Sequence, residues 1–290
     1  MSSTIVVRRM PFAFAEPIAP VWHPTRPEWS HMVNGGSLAM PYLEPFLIKT
    51  VKEALAQAST PQLKADVYAF IGQEGQHFQN HRRYNELLKR HYPDLAQVEE
   101  ELDADYRQFQ SRSLRWRLAY TAGFETMTMG ITEWLIKERD MLFTGADPSV
   151  TSLILWHMVE ETEHKNVAFD LYQDLFGQFW PRTWGVICAT AHVAWASRKA
   201  YKRMLIRDGR WHRLTSRLRL YQMILRFLLH TSPAMLRSLL PFYHPSKVRD
   251  PEWVAQWAQA YAALPEGVIP LLDTSNPAIP AQFVASATTA

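Results

Sequence analysis

Leu, Ala, Met and aromatic residues are interleaved with Gln, Glu and Arg through most of the chain, and runs of β-branched residues are scarce. That pattern favours helices over strands, and prolines and capping residues divide it into segments. Asn34 to Ser37 offers turn and cap chemistry before a first helix over 38–58, with Pro41 in its first turn. Thr60-Pro61 is a cap followed by proline at the first helical position, which starts a second helix over 61–91 that Pro93 closes. A charged helical connection over 94–111 follows, then a helix over 114–142. Gly145 to Pro148 makes a turn with Asp147 as the cap of a helix over 148–176. Beyond Pro181, three further helices are expected at 182–206, 211–240 and 251–263. The chain divides accordingly into a Pro- and aromatic-rich arm over 1–33, with Trp22 and Trp29 as packing anchors, a helical bundle over 34–180, and a C-terminal helical extension and tail over 181–290.

Two Glu-x-x-His steps fall in separate helices of the bundle, Glu74 to His77 and Glu161 to His164. Residues three and four apart share a helical face, so each pair can reach one metal site without bending the backbone. The two intervening helices each supply a lone acid, Glu44 and Glu125. One helix with a lone acid and one with Glu-x-x-His, repeated twice, is the internal symmetry of a ferritin-like four-helix bundle with a carboxylate-bridged metal pair. The fold class read from the chain is therefore all-α, a ferritin-like four-helix bundle with additional C-terminal helices.

His157 lies four residues before Glu161 and adds a third imidazole to that face. The expected metal ligands are Glu44, Glu74, His77, Glu125, His157, Glu161 and His164. Carboxylates with neutral imidazoles suit two iron ions first, with manganese or zinc as alternatives. A single Glu-x-x-His carries little weight, since 290 positions with 11 His give roughly one by chance. Glu28 to His31 is discounted because Pro24 and Pro27 precede it. Glu160 and Glu163 read as a solvated face beside the ligand stripe, and His81 as a rim residue emerging to water with Arg82 and Arg83. Tyr84 and Tyr120 are read as structural. Gly72 and Gly75 flank Glu74 and point to close packing there, because glycine inside a helix costs about 1 kcal/mol relative to alanine.

Hydrophobic content of 47% with 20% charged residues is ordinary for a protein with a sizeable core. Cys188 is the only cysteine, which excludes an intrachain disulfide and fits a reducing compartment. No secretory signal or membrane-spanning run is read, and the expected location is the cytoplasm. The net charge of +3 conceals a division. Residues 175–249 carry 14 Lys and Arg against the single acid Asp208, leaving the remaining 17 basic and 27 acidic residues to the rest of the chain. Basic residues interleaved with Trp184, Trp195, Tyr201, Trp211 and Tyr221 fit a peripheral membrane contact. The alternative is a cationic face packed on the acidic bundle. No nucleic-acid module accompanies the charge.

The layout resembles a bacterial family described as predicted metal-dependent hydrolases over nearly the whole length. The resemblance is carried by Trp22-His23-Pro24, the segment from Lys64-Ala65-Asp66 to Gly72-Gln73-Glu74-Gly75-Gln76-His77, and Pro241-Phe242-Tyr243-His244-Pro245. The ligand pattern is also similar to that of di-iron N-oxygenases acting on arylamines, such as p-aminobenzoate N-oxygenase. There a His-x-x-x-Glu-x-x-His step matches His157, Glu161 and His164, and Glu44, Glu74, His77 and Glu125 match the remaining positions. These resemblances imply an oxygen-activating di-metal enzyme of a small or lipid-like substrate, or a two-metal hydrolase; a non-catalytic metal- or membrane-binding role is the third reading.

Overall fold

A computed structural model describes residues 5–14 and 18–284, and the regular elements among them are helical apart from one isolated bridge between Leu272 and Phe283. The helices are α1 (Pro27–Leu55), α2 (Pro61–His91), α3 (Leu95–Gln110), α4 (Leu114–Lys137), α5 (Arg139–Phe143), α6 (Pro148–His164), α7 (Val167–Leu175), α8 (Phe179–Arg207), α9 (Leu214–Ser238) and α10 (Glu252–Ala262), with a 3-10 turn at Pro245–Lys247. Helix α1 packs along α2, and α8 packs along both α4 and α1. Helix α9 lies mainly on α4, and it hardly touches α8. No helix among the described residues is long and apolar enough to cross a membrane.

The starts of α2 and α6 follow from local chemistry. Thr60 caps α2 by accepting from the Leu63 amide, and Asp147 caps α6 by accepting from the Ser149 and Val150 amides. The start of α1 differs from the sequence expectation, which placed it at 38. Pro27 occupies the first turn, where its missing N–H is harmless, and the helix runs on from there. Glu28 and His31 are thus helical, yet they serve packing: Ser216 Oγ donates to Glu28 Oε1 at 2.5 Å, and His31 Nε2 lies 2.8 Å from Asp208 Oδ2.

The early start places Pro41 and Pro45 inside α1 on either side of Glu44's turn. A proline there removes the hydrogen bond to the carbonyl four residues back, at a cost of about 3 kcal/mol if nothing replaces it. Asn85 of α2 replaces the first one, donating from Nδ2 to Ser37 O at 2.9 Å.

The helix expected over 148–176 is interrupted by a turn at Lys165 and Asn166, immediately after His164. Lys165 is buried and donates to Val248 O at 2.8 Å while pairing with Asp250, so the break ties the metal-motif helix to the C-terminal segment. The arm before α1 packs where it is described. Trp22 stacks on Phe143 with centroids 6.0 Å apart, and Phe12 meets Trp156 at 5.6 Å.

The tightest helix crossing is glycine on glycine. A Cβ at Gly123 of α4 would lie 2.4 Å from the Gly185 carbonyl carbon, and one at Gly185 of α8 would lie 2.1 Å from Ala119 O. A Cβ at Gly72 would sit 2.7 Å from a methyl of the exposed Val7 side chain, which would have to shift, whereas the space at Gly75 is open. Gly185→Ala is expected to destabilise the fold by about 1–3 kcal/mol through backbone displacement, and Gly75→Ala to stabilise it by about 0.5–1 kcal/mol through helix propensity. Thermal melts of the two variants check this; a Gly185→Ala protein as stable as the parent would show that α8 does not pack on α4 in this way.

Candidate metal centre

Helices α1, α2, α4 and α6 each turn ionisable side chains toward one interior point. Glu44 comes from α1, Glu74 and His77 from α2, Glu125 from α4, and His157, Glu161 and His164 from α6; all seven are buried. Their atoms form overlapping groups whose members lie within 4.8 Å of one another: Glu44, His81 and His157; His77, His157 and Glu161; Glu74, Glu125, Glu161 and His164; and Glu44, Glu74 and His77. The groups share members, so the cluster is continuous. His164 Nε2 is 3.3 Å from Glu74 Oε1, 3.3 Å from Glu125 Oε2 and 3.5 Å from Glu161 Oε2. His157 Nε2 is 2.8 Å from Glu161 Oε1 and 3.8 Å from Glu44 Oε1. His77 Nδ1 lies 3.7 Å from Glu161 Oε1 and 3.9 Å from Glu74 Oε2.

Each imidazole directs one nitrogen into the cluster and has the other held from outside, the arrangement that fixes ring orientation at metal sites. His77 Nε2 meets Glu160 Oε2 at 3.1 Å, and Arg8 Nη1 donates to Glu160 Oε1 at 3.1 Å. His164 Nδ1 meets Gln73 Oε1 at 2.8 Å, and the Gln73 amide donates to Glu163 Oε2 at 2.8 Å. His157 Nδ1 is 2.7 Å from His81 Nε2, His81 Nδ1 is 2.8 Å from Ser37 Oγ, and Ser37 Oγ donates to Asn85 Oδ1 at 2.8 Å. If His157 donates from Nδ1, that last chain runs in one direction, with every donor matched to an acceptor.

Two sequence expectations are corrected here. Glu160 and Glu163 are not a solvated face: Glu160 is fully buried, and Arg8 bridges the two, with Nη2 at 2.6 Å from Glu163 Oε1. His81 does not emerge to water but is buried behind His157. Tyr84 and Tyr120 are buried outside the cluster's ion pairs, with Tyr84 donating to Asn34 Oδ1 at 2.7 Å and Tyr120 Oη 2.8 Å from His192 Nδ1. The sequence reading missed Arg8, Gln73, Ser37 and Asn85 as supports. Only the helical spacing of Gln73 beside Glu74 carried any signal for them.

Both carboxylate oxygens of Glu44, Glu74 and Glu125, together with Glu161 Oε2, His77 Nδ1 and His164 Nε2, are buried without a hydrogen-bond partner. Orphaned buried polar atoms are costly, and here they all face each other. The electrostatics report the same strain. Burial, followed by the charges of Glu161 and Glu125, holds Glu44 well above the ordinary carboxylate range, and burial with Glu125 and Glu161 does the same to Glu74. Burial and Glu161 push Glu125 up to about 7, and burial pushes Glu160 up to about 8 against the pull of Arg8. Burial opposes ionisation of Glu161 too, yet His164 and His157 outweigh it and hold that carboxylate well below its usual range. Burial likewise disfavours protonated His164, but Glu161 and Glu125 raise it well above an ordinary imidazole. His77 and His81 are lowered, first by burial and then by His157. No lysine or arginine pairs with the four carboxylates among the described residues. Cations placed among them would satisfy the orphaned atoms and relieve the repulsion, so the donor set fits bound metal.

A cavity of about 510 Å³ adjoins the cluster, with His157 and His81 in its wall. The rest of its lining is mostly apolar, including Trp29, Phe124, Met127 and Trp134. Helices α8 and α9 contribute its outer side through Val193, Tyr201 and Phe227.

Residues 6–249 match the family described as predicted metal-dependent hydrolase. The chain belongs to that family. That membership, with His/carboxylate groups able to hold metal, indicates a metal-dependent enzyme. No curated protein and no solved structure matches it.

The raised and lowered groups set a pH dependence for metal-free protein. Glu125 and Glu160 titrate near 7 and 8 when folded and near 4.5 when unfolded, so the folded state binds more protons between these values and its stability falls as pH rises. His164, raised above 6.5, acts in the same direction above that pH, while the lowered His77 and His81 oppose it only below 6.5. Thermal melts of chelator-treated protein are expected to show a falling melting temperature between pH 6.5 and 8. A rising one over that interval would contradict the burial of these carboxylates.

Proposed function

We propose that the chain is a di-metal oxidoreductase of the oxygenase type, with Glu44, Glu74, His77, Glu125, His157, Glu161 and His164 holding two redox-active ions, iron first and manganese as the alternative; zinc, which is redox-inert, would belong to the hydrolase reading below. In this reading α1, α2, α4 and α6 form a ferritin-like four-helix arrangement around the pair. The observation that carries it is the set of orphaned oxygens and nitrogens of these residues, converging with no lysine or arginine among the described residues to neutralise them.

When bound, a redox-active pair supplies the electrons that dioxygen chemistry requires. The protein supplies the setting. Four carboxylates offset the charge of the ions, and Glu160, Gln73 and His81 fix the three imidazole rings in the orientation and tautomer that present a lone pair inward. Phe124, Met127 and Met158 line the adjoining cavity and keep water scarce beside His157, which protects reactive species from side reactions. A small or lipid-like organic substrate in that cavity would lie next to the cluster.

Hydrolysis is the second reading, and the family description favours it. There the ions would lower the pKa of a water and polarise a carbonyl or phosphoryl group. The mostly apolar lining of the cavity supports the first reading more than this one, because hydrolysis needs water at the metal.

Elemental analysis of anaerobically iron-loaded protein is expected to give two ions per chain, with an absorbance change and oxygen uptake after reduction and exposure to oxygen. A protein that binds only zinc and turns over model esters would favour the hydrolase. Glu125→Ala and His164→Ala are each expected to lose bound metal. Full metal retention in both variants would refute the assigned ligands.

A further inference from the structure

Helix α9 has two apolar faces, and only one of them is covered by the described residues. Phe227 and Thr231 turn inward toward α4 and the cavity. Leu214, Leu218, Tyr221, Leu225, Leu229 and Leu236 repeat at helical spacing on the outward face, and all are exposed, Leu214 at 72% and Leu229 at 64%. Trp180, Trp184 and Trp195 stand exposed on α8. A soluble surface seldom presents so long an apolar stripe without a partner.

The charge around the stripe identifies the partner. Some cations of this region pack against the bundle's acids: Lys199 and Arg203 on Glu101, Arg207 on Asp94, and Arg226 on Glu138. Arg198, Lys202, Arg213, Arg217, Arg219 and Arg237 have no acidic partner among the described residues. Several of these lie over exposed or half-exposed rings instead, as Arg198 does over Trp195 and Lys202 and Arg217 do over Trp211. Apolar side chains flanked by free cations and tryptophans are the composition of a helix lying in the interface of an anionic membrane. A protein partner of matching acidity would not need the leucines to be so evenly exposed along the whole helix.

The cavity is continuous with this face. Exposed Arg198 of α8 and Leu228 of α9 both belong to its lining, so the cavity reaches solvent-facing side chains of both helices. The inner end is His157, next to Glu161. We propose that α9 and the outer face of α8 seat the protein on an anionic lipid bilayer, and that one acyl chain enters the cavity between them to reach the cluster. The substrate class is thus a lipid-borne or free acyl chain, with Arg198 placed at the mouth for its anionic head. This rests on the metal-centre reading for what happens to the chain, but the docking and the chain binding do not require metal.

The test uses the full chain, with and without chelator treatment. Sedimentation with vesicles of phosphatidylcholine and phosphatidylglycerol is expected to pellet the protein, with much less pelleting on phosphatidylcholine alone and a loss at high salt. Leu225→Glu with Leu229→Glu should abolish pelleting and leave circular dichroism and melting unchanged, because both side chains are exposed. Dodecanoate, as a monomeric probe, is expected to bind once per chain by calorimetry. Gly36→Leu fills the cavity from a position where an added Cβ meets nothing within 4 Å, so it should lose dodecanoate binding and keep vesicle binding, whereas the Leu225/Leu229 variant should do the reverse. Absence of pelleting on anionic vesicles, equal pelleting on both lipids, or a stripe that instead forms dimers lost in the double variant would each overturn the docking. Unchanged dodecanoate binding in Gly36→Leu would overturn the cavity assignment. Docking and chain binding that persist in protein unable to hold metal would leave this inference standing while the metal-centre reading fails.

Discussion

The structure depends on one electrostatic constraint: four carboxylates and three imidazoles are buried at a single point, with no lysine or arginine among the described residues to balance them. Each carboxylate taken into the interior disfavours its own ionisation, and four together also repel one another. Without metal the interior settles this by keeping protons on Glu44 and Glu74 and by pairing His164 with Glu161. Such a state leaves most of the inward oxygens unsatisfied. A fold that keeps this arrangement in its core is built around something that is not the polypeptide.

The supporting residues follow from the same constraint. A ring that offers a lone pair inward has to be gripped on its other nitrogen, and the three grips come from different places: Glu160 with Arg8 from the N-terminal arm, Gln73 next to Glu74, and His81 with Ser37 and Asn85 across the α1–α2 contact. The last of these also repairs the hydrogen bond that Pro41 removes from α1. Backbone defect and imidazole support are therefore served by one asparagine.

The inward face of the bundle was legible in the chain because it is written at helical spacing. Glu74 with His77, and His157 with Glu161 and His164, need only the three- and four-residue repeat to fall on one side, and the structure brings these five together with Glu44 and Glu125. The outer supports were not legible, because their partners are distant. Glu160 occupies a phase that looks solvated until Arg8 crosses over it from a segment 152 residues away. His81 looks like a rim residue beside Arg82 and Arg83, and only the depth of its α2 position, set by α1 and α6, buries it. The early start of α1 and the break after His164 were hidden for the same reason: one depends on how Pro27 sits against the body, the other on Lys165 reaching the segment near 250.

The most direct test of the central claim is a crystal structure of metal-loaded protein with diffraction collected on both sides of the metal absorption edge. Two anomalous peaks lying among Glu44, Glu74, His77, Glu125, His157, Glu161 and His164 are the expected result. A cluster that binds no anomalous scatterer after loading, with its carboxylates held together by protons and water alone, would contradict the account.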